Sequence, residues 1–408
     1  MIQFLYYIIF IITLAYGLYF LITGFFGFKK MHINFIENHK PKNRLAILIA
    51  SRNEEAVIGS LVKSLKKQDY PEDLYDIYVI PNNCNDDTEG AAKKAGAKII
   101  KCTVPVKSKG DVLHFTFDVL ANKNYDAYVI FDADNVVGSN FLSRMNDALC
   151  EGYKVAQGFR DSKNATDNWI SGSYSLFYGI QNFFFNKARM QMGGSASING
   201  TGFMVKKEVI DEFGFNTVSL TEDVEFTAQC ALNHIRIVFV EDAITYDEQP
   251  VDFKVSWKQR KRWSTGILQC LKVYKRRLIS TYNKTGFIPC LDMLLSFLAP
   301  VMQVISVFLT FVLILFRVFN IELFDIFAYI FAYGIVFFIL SYIANIVINI
   351  FIIKYNKKSV KDIMPGILLY TWFMLTWIPI NFICMFKKDT KWEPIKHTRN
   401  MDIDDVKK

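Results

Sequence analysis

Residues 45–80 read LAILIASRNEEAVIGSLVKSLKKQDYPEDLYDIYVI, and their pattern sets the class of fold. The first six residues, 45–50, form a continuous apolar run, which is typical of a strand buried on both faces. Apolar residues then recur at helical spacing from about residue 54 to 67, and Pro71 ends that connection. A second apolar run follows at residues 76–80. The stretch therefore predicts a strand, a helix and a second strand.

The same alternation continues further along the chain. Helical patterns are predicted near residues 87–95 and 110–120, and strands at residues 97–100 and 127–131. Strands and helices repeated in this order predict an α/β fold with a mostly parallel, doubly wound sheet. Ligands of such sheets bind outside the carboxyl ends of the strands, so we expect functional residues in the loops that follow the strands.

Long apolar segments flank this polar span on both sides. Residues 2–28 contain no charged residue, and further apolar stretches occupy residues 287–316, 321–353 and 363–386. Each is long enough for a membrane-spanning helix of about 20 residues. The first segment lacks the basic start and the small-residue cleavage site of a signal peptide, so we expect it to remain as an anchor.

These segments divide the chain into five predicted regions. They are a transmembrane helix at residues 1–28, a soluble domain at 41–250, a juxtamembrane interfacial region at 251–286, a transmembrane region at 287–386 and a tail at 387–408. Lysine and arginine residues follow the first helix and recur in the tail. The positive-inside rule therefore predicts a multi-pass protein of the cell membrane whose soluble domain and tail are both cytoplasmic.

A cytoplasmic tail requires one irregular segment. Three crossings after the soluble domain would place the tail on the opposite side of the membrane from that domain. Pro365 and Pro379 would break the last apolar stretch into a re-entrant or hairpin element. Alternatively, Pro289 and Asp292 favour an interfacial start for the first of the three stretches.

Charge and cysteine content argue against several other classes of protein. The 47 Lys and Arg residues exceed the 39 Asp and Glu residues, and basic residues crowd at 254–277 and 354–361, beside apolar segments. That position favours contact with anionic lipid headgroups over binding of nucleic acid. The seven cysteines show no Cys-x-x-Cys spacing, which indicates a reducing compartment without a disulfide framework or a zinc site.

Two carboxylates, Asp132 and Asp134, directly follow a predicted strand. Carboxylates in this position can approach one hard divalent cation, which can itself hold a diphosphate. A solvated loop is the alternative interpretation. Lys109 and Gly110 open a predicted helix, where an ammonium group and backbone N–H groups could meet a phosphate.

Two loops are open to structural and functional interpretations alike. The Asn and Asp residues at 81–88 either cap the following helix or contact a nucleotide. Residues 199–202, Asn-Gly-Thr-Gly, predict either a tight turn or a close approach of the backbone to a sugar.

Thr221, Glu222 and Asp223 begin another predicted helix. Ser219 and Glu222 have the spacing of a capping box, so capping could account for Glu222. Capping does not require Asp223, which is therefore the candidate general base.

Residues 259–263, Gln-Arg-Lys-Arg-Trp, stand shortly before the chain becomes apolar again. At about 100° per residue on a helix, Gln259, Arg262 and Trp263 share one face. That face suits a guanidinium that binds a diphosphate and an indole that stacks on a sugar, although a basic juxtamembrane helix with an interfacial Trp is the alternative. The neighbouring basic residues are expected to point elsewhere, toward water or lipid headgroups: Lys258, Arg260 and Lys261.

This combination of motifs resembles the membrane-embedded family 2 glycosyltransferases of the cellulose synthase, hyaluronan synthase and poly-N-acetylglucosamine synthase type. The resemblance runs from about Arg44 to Trp263, with similar apolar segments on both sides. It implies a GT-A fold, a UDP-sugar donor and Mg²⁺ or Mn²⁺ as cofactor. It also implies an inverting β-glycosyltransferase whose catalytic base is Asp223, which matches the last residue of the family's TED motif.

The resemblance assigns the other site residues position by position. Asp132 and Asp134 match the metal-diphosphate motif and would be the metal ligands. The implied donor-nucleotide residues are Ser51, Arg52, Glu54, Asn82, Asp86, Lys109 and Asp132. The implied acceptor and diphosphate residues are Gly202, Glu222, Gln259, Arg262 and Trp263, of which the last three match the QxxRW motif. One departure stands out, since relatives usually carry Asp where this chain has Asn82.

Three functions are compatible with these features. The first is transfer of a sugar from a nucleotide-sugar donor to a growing glycan at the membrane, and the second is transfer of a single sugar to a lipid acceptor. The third is a catalytically silent scaffold in envelope assembly, against which the intact Asp132, Asp134, Asp223 and Arg262 argue. The expected partners are the nucleotide sugar, a glycan or lipid acceptor, the lipid bilayer and possible envelope-biosynthesis proteins, without nucleic acid.

Overall fold

The computed structural model describes residues 2–29, 39–320, 334–387 and 397–406. The strands in this part of the chain form one sheet and have the following bounds: β1 (Leu45–Ser51), β2 (Tyr75–Pro81), β3 (Lys98–Ile99), β4 (Ala127–Asp132), β5 (Val136–Val137), β6 (Val155–Ser162), β7 (Phe203–Lys206) and β8 (Ile237–Asp247).

The α-helices alternate with these strands and then extend beyond them. Their bounds are α1 (Ile2–Phe25), α2 (Ile58–Lys66), α3 (Thr88–Ala95), α4 (Lys109–Leu120), α5 (Phe141–Cys150), α6 (Trp169–Ile180), α7 (Ala188–Gln191), α8 (Lys207–Phe213), α9 (Glu222–Leu232), α10 (Phe253–Thr285), α11 (Ile288–Asn320), α12 (Ile335–Tyr355), α13 (Met364–Leu375), α14 (Trp377–Phe386) and α15 (Ile403–Val406).

The sheet has the strand order β3-β2-β1-β4-β7-β6-β8-β5. The first four strands in this order pair in parallel, as predicted. The second half is mixed, because β7 is antiparallel to both of its neighbours while β6 and β8 pair in parallel and β5 is antiparallel to β8. The carboxyl ends of β1, β2 and β4 therefore lie at one edge, where a ligand site is expected.

Strand β1 is buried on both faces, as its apolar run predicts. Leu45, Ile47 and Ile49 point into one hydrophobic cluster, which α2 covers. Ala46 and Leu48 point into a second cluster on the opposite face, which α4 covers. Because side chains alternate along a strand, a strand between two cores must be apolar at every position.

Helix α2 begins four residues later than the pattern predicts, at Ile58. The backbone N–H of Glu54 donates instead to Thr88 Oγ1 at 2.9 Å, which ties the loop after β1 to the start of α3. Asn53 has a positive φ of 60°, so the chain turns there before the helix starts. The loop after β1 is thus held in a non-helical form beside the loop after β2.

The described part of the chain contains four helices that are long and apolar enough to cross a membrane, at Tyr7–Phe28, Ile288–Val312, Ile335–Tyr355 and Met364–Phe386. Helix α1 is tied to α11 by polar contacts. Tyr19 donates its hydroxyl to Asp292 Oδ1 at 2.7 Å, and Arg189 donates to Asp292 Oδ2 at 2.5 Å. The Asp292 carboxylate near the start of α11 is therefore buried in a protein contact. Part of the predicted stretch 321–353 and half of the predicted tail 387–408 lie outside the described residues.

The last apolar stretch is one bent helix, and the prediction of a hairpin is wrong. Helices α13 and α14 are separated only by Thr376, whose φ of −68° and ψ of −14° keep the chain in helical conformation. Pro379 explains the bend, because it has no N–H to donate to the carbonyl four residues earlier. Both ends of the stretch contact the sheet-bearing part of the molecule: Gly366 packs on Gly172, and Cys384 donates its thiol to the carbonyl of Lys261 at 3.5 Å.

Substituting Gly366 by Ala is expected to destabilise the protein by about 1–3 kcal/mol, the usual cost of overpacking. A Cβ atom at Gly366 would lie 2.8 Å from the carbonyl carbon and 2.9 Å from the Cα of Gly172, so backbone would have to move. Gly17→Ala is the matched control, because nothing lies within 4 Å of a Cβ there. Thermal unfolding of the detergent-solubilised variants measures both effects, and equal unfolding midpoints would contradict the close packing of α6 and α13.

Candidate active site

A cavity of about 310 Å³ opens at the carboxyl ends of β1, β2 and β4. The starts of α4 and α9 and one face of α10 complete its wall. All the predicted site residues except Asp86 and Gly202 line it: Ser51, Arg52, Glu54, Asn82, Lys109, Asp132, Asp134, Glu222, Asp223, Gln259, Arg262 and Trp263. The topology therefore gathers residues from six separate segments into one space.

Asp132 ends β4, and side chains from two turns fix its backbone. Its N–H donates to Asn135 Oδ1 at 2.9 Å and to Thr201 Oγ1 at 3.0 Å. The Lys109 ammonium donates to Asp132 Oδ1 at 2.5 Å and to the carbonyl of Gly200 at 2.7 Å. The start of α4 thus places a positive charge beside this carboxylate.

Asp134 is buried, and its Oδ2 accepts a hydrogen bond from the backbone N–H of Glu248 at 2.8 Å. Burial alone would raise the pKa of its carboxyl group, but the nearby positive charges of His397, Lys163 and Arg160 outweigh burial. The pKa of Asp134 consequently lies below its usual value. The group is an anion inside the protein and suits a cation as a further neighbour.

Asp132 and Asp134 fit a divalent cation that is shared with a substrate. Among the described residues, no group of three or more His, Cys, Asp or Glu side chains is placed to hold a metal ion. Mg²⁺ is commonly bound by one or two carboxylates together with waters and substrate phosphates. Two carboxylates beside the Lys109 ammonium are therefore a suitable protein contribution to such a site.

Asp223 lies in the first turn of α9, across a small space from Asp132. A Cβ atom at Gly200 would lie 3.4 Å from Asp223 Oδ2 and 4.0 Å from Asp132 Oδ2. Gly200 also has a φ of +95°, which residues with side chains rarely adopt. This glycine therefore keeps open the space between the candidate base and the candidate metal ligand.

The two acidic residues of this turn have raised pKa values. Burial and the neighbouring Asp223 carboxylate raise the pKa of Glu222 to about 7. Burial also raises the pKa of Asp223, against the lowering effects of the Val224 N–H and the charges of Lys109 and Arg262. A carboxylate with a raised pKa is a stronger proton acceptor than an ordinary aspartate, which is what a general base needs.

The predicted capping box at α9 does not form. The Ser219 hydroxyl donates to the carbonyl of Thr221 at 3.1 Å instead of capping the helix. The Glu225 carboxylate, one turn into α9, accepts from the N–H groups of Val218 and Ser219 at 2.9 and 2.7 Å. Because Glu225 holds the chain that enters α9, Glu222 is available to the cavity.

The three residues of the QxxRW motif line the cavity together, as their shared helical face predicts. The prediction that Arg260 meets water or lipid headgroups is wrong, because its side chain is fully buried. Its guanidinium donates to the carbonyl of Phe373 at 3.1 Å and to the hydroxyl of Thr376 at 2.5 Å. The helical wheel of α10 cannot reveal this contact, since the bent helix α13–α14 covers a second face of α10.

Arg160 is a cavity residue that the sequence analysis missed. Its Nε donates to Asp247 Oδ2 at 2.9 Å, and its Nη1 donates to the carbonyl of Asn199. Its guanidinium carbon lies 4.1 Å from the ring centroid of Tyr178. Parallel pairing of β6 with β8 brings this pair together. No local motif marks Arg160 as a cavity residue, so only the sheet topology could have identified it.

The described part of the C-terminal tail also reaches the cavity. His397 Nδ1 lies 3.0 Å from Glu54 Oε1. Burial would lower the pKa of His397, but the negative charges of Asp134 and Glu54 raise it to about 10. The backbone N–H of Arg399 donates to Glu248 Oε2 at 2.9 Å. The tail thus adds a positive charge beside the carboxylates, from a segment without any recognisable motif.

Asp86 and Gly202 do not line the cavity. The Asp86 carboxylate accepts from the N–H groups of Glu55 at 3.1 Å and Thr88 at 3.2 Å, so it fastens the two loops to each other. Gly202 has a φ of +61° and donates its N–H to the carbonyl of Ile130 at 2.9 Å. Both residues hold the segments that form the wall, but other side chains cover its surface.

Residues 41–266 match the family model described as glycosyltransferase like family 2. A probable glycosyltransferase of Bacillus subtilis, YdaM, is 28% identical over 270 residues, which cover 60% of this chain and 61% of that protein. A beta-monoglucosyldiacylglycerol synthase of Synechocystis is 25% identical over 235 residues, which cover 56% of this chain and 49% of that protein. The chain thus spans less than two thirds of the length of these relatives.

A solved structure shares the fold. The mannosyltransferase PcManGT from Pyrobaculum calidifontis, in complex with GDP-Man and Mn²⁺, has a TM-score of 0.53 at 16% identity, over 73% of this chain and 86% of that protein. The predicted GT-A-type fold class is confirmed by this structural similarity. The chain belongs to the glycosyltransferase-like family 2.

Proposed function

We propose that the protein transfers a sugar from a nucleotide-diphosphate donor to an acceptor hydroxyl at the membrane, with inversion at the anomeric carbon. The observation that supports this most strongly is that Asp223 and Asp132 face one small space beside Gly200. Direct displacement needs a base on one side of the anomeric carbon and a diphosphate site on the other. The spacing around Gly200 suits that arrangement.

In the proposed reaction, the Asp223 carboxylate accepts the proton of the acceptor hydroxyl as its oxygen attacks the anomeric carbon. The new glycosidic bond forms as the bond between the sugar and the diphosphate breaks. The charges of Lys109 and Arg262 stabilise the departing diphosphate. Asp132 and Asp134 would hold Mg²⁺ or Mn²⁺, which supplies further positive charge at that diphosphate.

We propose a UDP-sugar as the donor, and the orientation of Asn82 supports this. Its Nδ2 donates to the carbonyl of Ser51 at 2.9 Å. Because a carbonyl can only accept, the amide must present its nitrogen there, which leaves Oδ1 as an acceptor for a ligand. Asn82 can therefore accept a hydrogen bond from the N3–H of a uracil base, although an Asp in this position would be the stronger, charged acceptor.

Two acceptors remain candidates, a growing glycan and a lipid. The resemblance of the QxxRW motif to polysaccharide synthases supports the glycan. The similarity to a relative named as a beta-monoglucosyldiacylglycerol synthase supports the lipid. Envelope-biosynthesis proteins are proposed as further partners.

We propose that the protein is a multi-pass protein of the cell membrane with a cytoplasmic catalytic domain. Basic residues beside the apolar segments support this orientation. The loop before α13 supports it as well, because Lys358 pairs with Asp161 of β6 and donates to Ser175 at 3.1 Å. The loop and the tail near His397 thus lie on the same side as the catalytic domain. The bent helix between them is therefore proposed to lie along the membrane interface without crossing.

The rate of transfer is expected to fall on acidification at a pH above the usual aspartate pKa of about 4. Asp223 accepts a proton only when it is ionised, and burial raises its pKa, so its base form is lost as the pH drops through that raised value. A pH profile of kcat/KM measures the midpoint. Glu222→Gln removes the carboxyl group that interacts with Asp223. We therefore expect the acidic side of its kcat/KM profile to fit a single titrating group. If the wild-type kcat/KM fell with a midpoint at or below about pH 4, the result would contradict a buried Asp223 as the base.

A donor screen tests the proposed function. Purified protein in lipid nanodiscs is incubated with UDP-, GDP- and dTDP-sugars, and nucleotide release is measured with and without a chelator. Chelator-sensitive release from a UDP-sugar is the expected result. Release from a GDP-sugar alone would overturn the proposal that Asn82 recognises a uracil base. Absence of release from every donor, with metal present, would favour the silent scaffold.

A further inference from the structure

We propose that Trp377 forms, with Tyr178 and Gln259, a subsite for the hydroxyl-bearing headgroup of a membrane lipid, and that Arg260 positions Trp377 there. This inference rests on the proposed sugar transfer, because it names the acceptor of that reaction. Trp377 is the first residue of α14 and lines the same cavity as Asp223. It belongs to no motif that the sequence analysis identified.

The first observation is a group of three aromatic rings from three separate segments. Phe177 of α6, Trp263 of α10 and Trp377 of α14 all line the cavity. Their ring centroids lie 6.2 to 6.3 Å apart, and their planes differ by 20° to 24°. Trp377 thus extends the aromatic wall that begins at the QxxRW tryptophan, and such a wall suits the C–H face of a sugar or of a glycerol group.

The second observation is a set of buried polar atoms that find no hydrogen-bond partner among the described residues. They include Tyr178 Oη, Gln259 Oε1 and Trp377 Nε1, and all three residues line the cavity. Tyr178 itself is only 2% exposed. Buried groups of this kind are costly unless a ligand or water satisfies them. One donor, one acceptor and one hydroxyl together match a ligand that carries hydroxyl groups.

The third observation explains how Trp377 is held. Arg260 donates to the carbonyl of Phe373 and to the hydroxyl of Thr376, at the point where the helix bends. The Arg260 guanidinium carbon also lies 5.7 Å from the ring centroid of Trp377. Pro379 has no N–H to donate to the carbonyl of Leu375, and the Arg260 guanidinium binds the carbonyl of Phe373 in the same turn. Arg260 is therefore a positioning residue that acts through Trp377.

The other side of the same helix indicates the class of acceptor. The bent helix is apolar enough for a membrane, and its outer side exposes large apolar residues, with Trp372, Phe382 and Phe386 exposed by 52%, 54% and 72%. Among the described residues, this helix separates the cavity from an exposed apolar surface. A lipid can bring its headgroup to the aromatic wall while its acyl chains stay in the bilayer.

Steady-state kinetics with dioleoylglycerol in mixed micelles tests the subsite. Trp377→Leu is expected to raise the acceptor KM about tenfold or more, while the donor KM and the slow hydrolysis of the donor stay near wild type. Trp377→Phe keeps a ring and loses the N–H, so an intermediate increase is expected. Trp372→Leu is the matched control, because it removes a tryptophan from the outer side of the same helix. Equal increases in donor and acceptor KM, or an unchanged acceptor KM, would overturn the role of Trp377.

The role of Arg260 is tested by a double-mutant cycle. Arg260→Met is expected to raise the acceptor KM in the same way, and the double variant with Trp377→Leu is expected to be no worse than Trp377→Leu alone. Additive effects would show that Arg260 does not act through Trp377.

Binding is measured separately from transfer, so that the two proposals fail in different ways. A photoreactive diacylglycerol is expected to label the cavity wall of the wild type in a saturable manner, with competition by dioleoylglycerol, and to label Trp377→Leu less. Labelling without transfer from any donor would overturn the proposed function and leave the lipid subsite standing. Transfer to a soluble oligosaccharide without saturable lipid labelling would overturn the lipid subsite and leave the sugar transfer standing.

Discussion

Asp223→Asn is expected to lower kcat about 1,000-fold, since general bases contribute about 10²- to 10⁴-fold to rates. This corresponds to about 4 kcal/mol of lost transition-state stabilisation. The amide has nearly the same shape as the carboxylate, but it cannot accept the proton of the acceptor hydroxyl. Donor affinity is expected to change little, because the carboxylate acts on the acceptor. Single-turnover kinetics and equilibrium binding of the donor measure the two quantities separately.

A matched control for this variant is Asp118→Asn. Asp118 lies on α4 of the same domain, and its side chain is 74% exposed. Its kcat is therefore expected to equal that of the wild type. If Asp223→Asn lost donor affinity in proportion to its rate, Asp223 would be a structural or metal-binding group, and the base would have to be sought elsewhere.

Removal of divalent metal is expected to lower the transfer rate at least about 100-fold, because a metal ion at a leaving diphosphate is worth several kcal/mol. Addition of Mn²⁺ or Mg²⁺ is expected to restore the rate. Asp134→Asn is expected to raise the metal concentration needed for half-maximal activity. The variant removes one of the two carboxylates but keeps an oxygen that can accept from the Glu248 N–H. Metal titrations of activity measure both effects.

The positive charges around Asp134 provide a check on this interpretation. His397 and Lys163 lie close enough to affect its carboxyl group, so Asp134→Asn removes an attraction that holds the tail. Thermal unfolding of the variant shows whether it is folded under the assay conditions. Full activity after removal of metal by a chelator would contradict a metal role for Asp132 and Asp134.

The first half of the fold could be predicted because its central strands, β1 and β4, have two covered faces. A strand such as β1 must then be apolar throughout, and that pattern is visible without any knowledge of its neighbours. The second half could not be predicted in this way. Strand β7 has only four residues, Phe203–Lys206, and its antiparallel place between β4 and β6 depends on pairing with distant strands.

The candidate site divides along similar lines. Asp132, Asp223 and the QxxRW residues could be predicted as cavity residues because each stands at a strand end, at a helix start or on one helical face. The contacts of Arg260, Arg160 and His397 could not, because each depends on a segment far away in the chain. His397 and Glu54, for example, are 343 residues apart. A local sequence pattern predicts which side chains of a helix or strand are buried. It does not predict which other segment of the chain packs against them.

The anomeric configuration of the product tests the proposed inverting sugar transfer most directly. Wild-type protein is incubated with metal, an acceptor lipid and an α-linked UDP-sugar, and the purified product is examined by NMR. We expect a β-linked product, because a single displacement assisted by Asp223 inverts the anomeric carbon. An α-linked product would contradict it, because retention requires a different arrangement of catalytic groups from the one around Gly200.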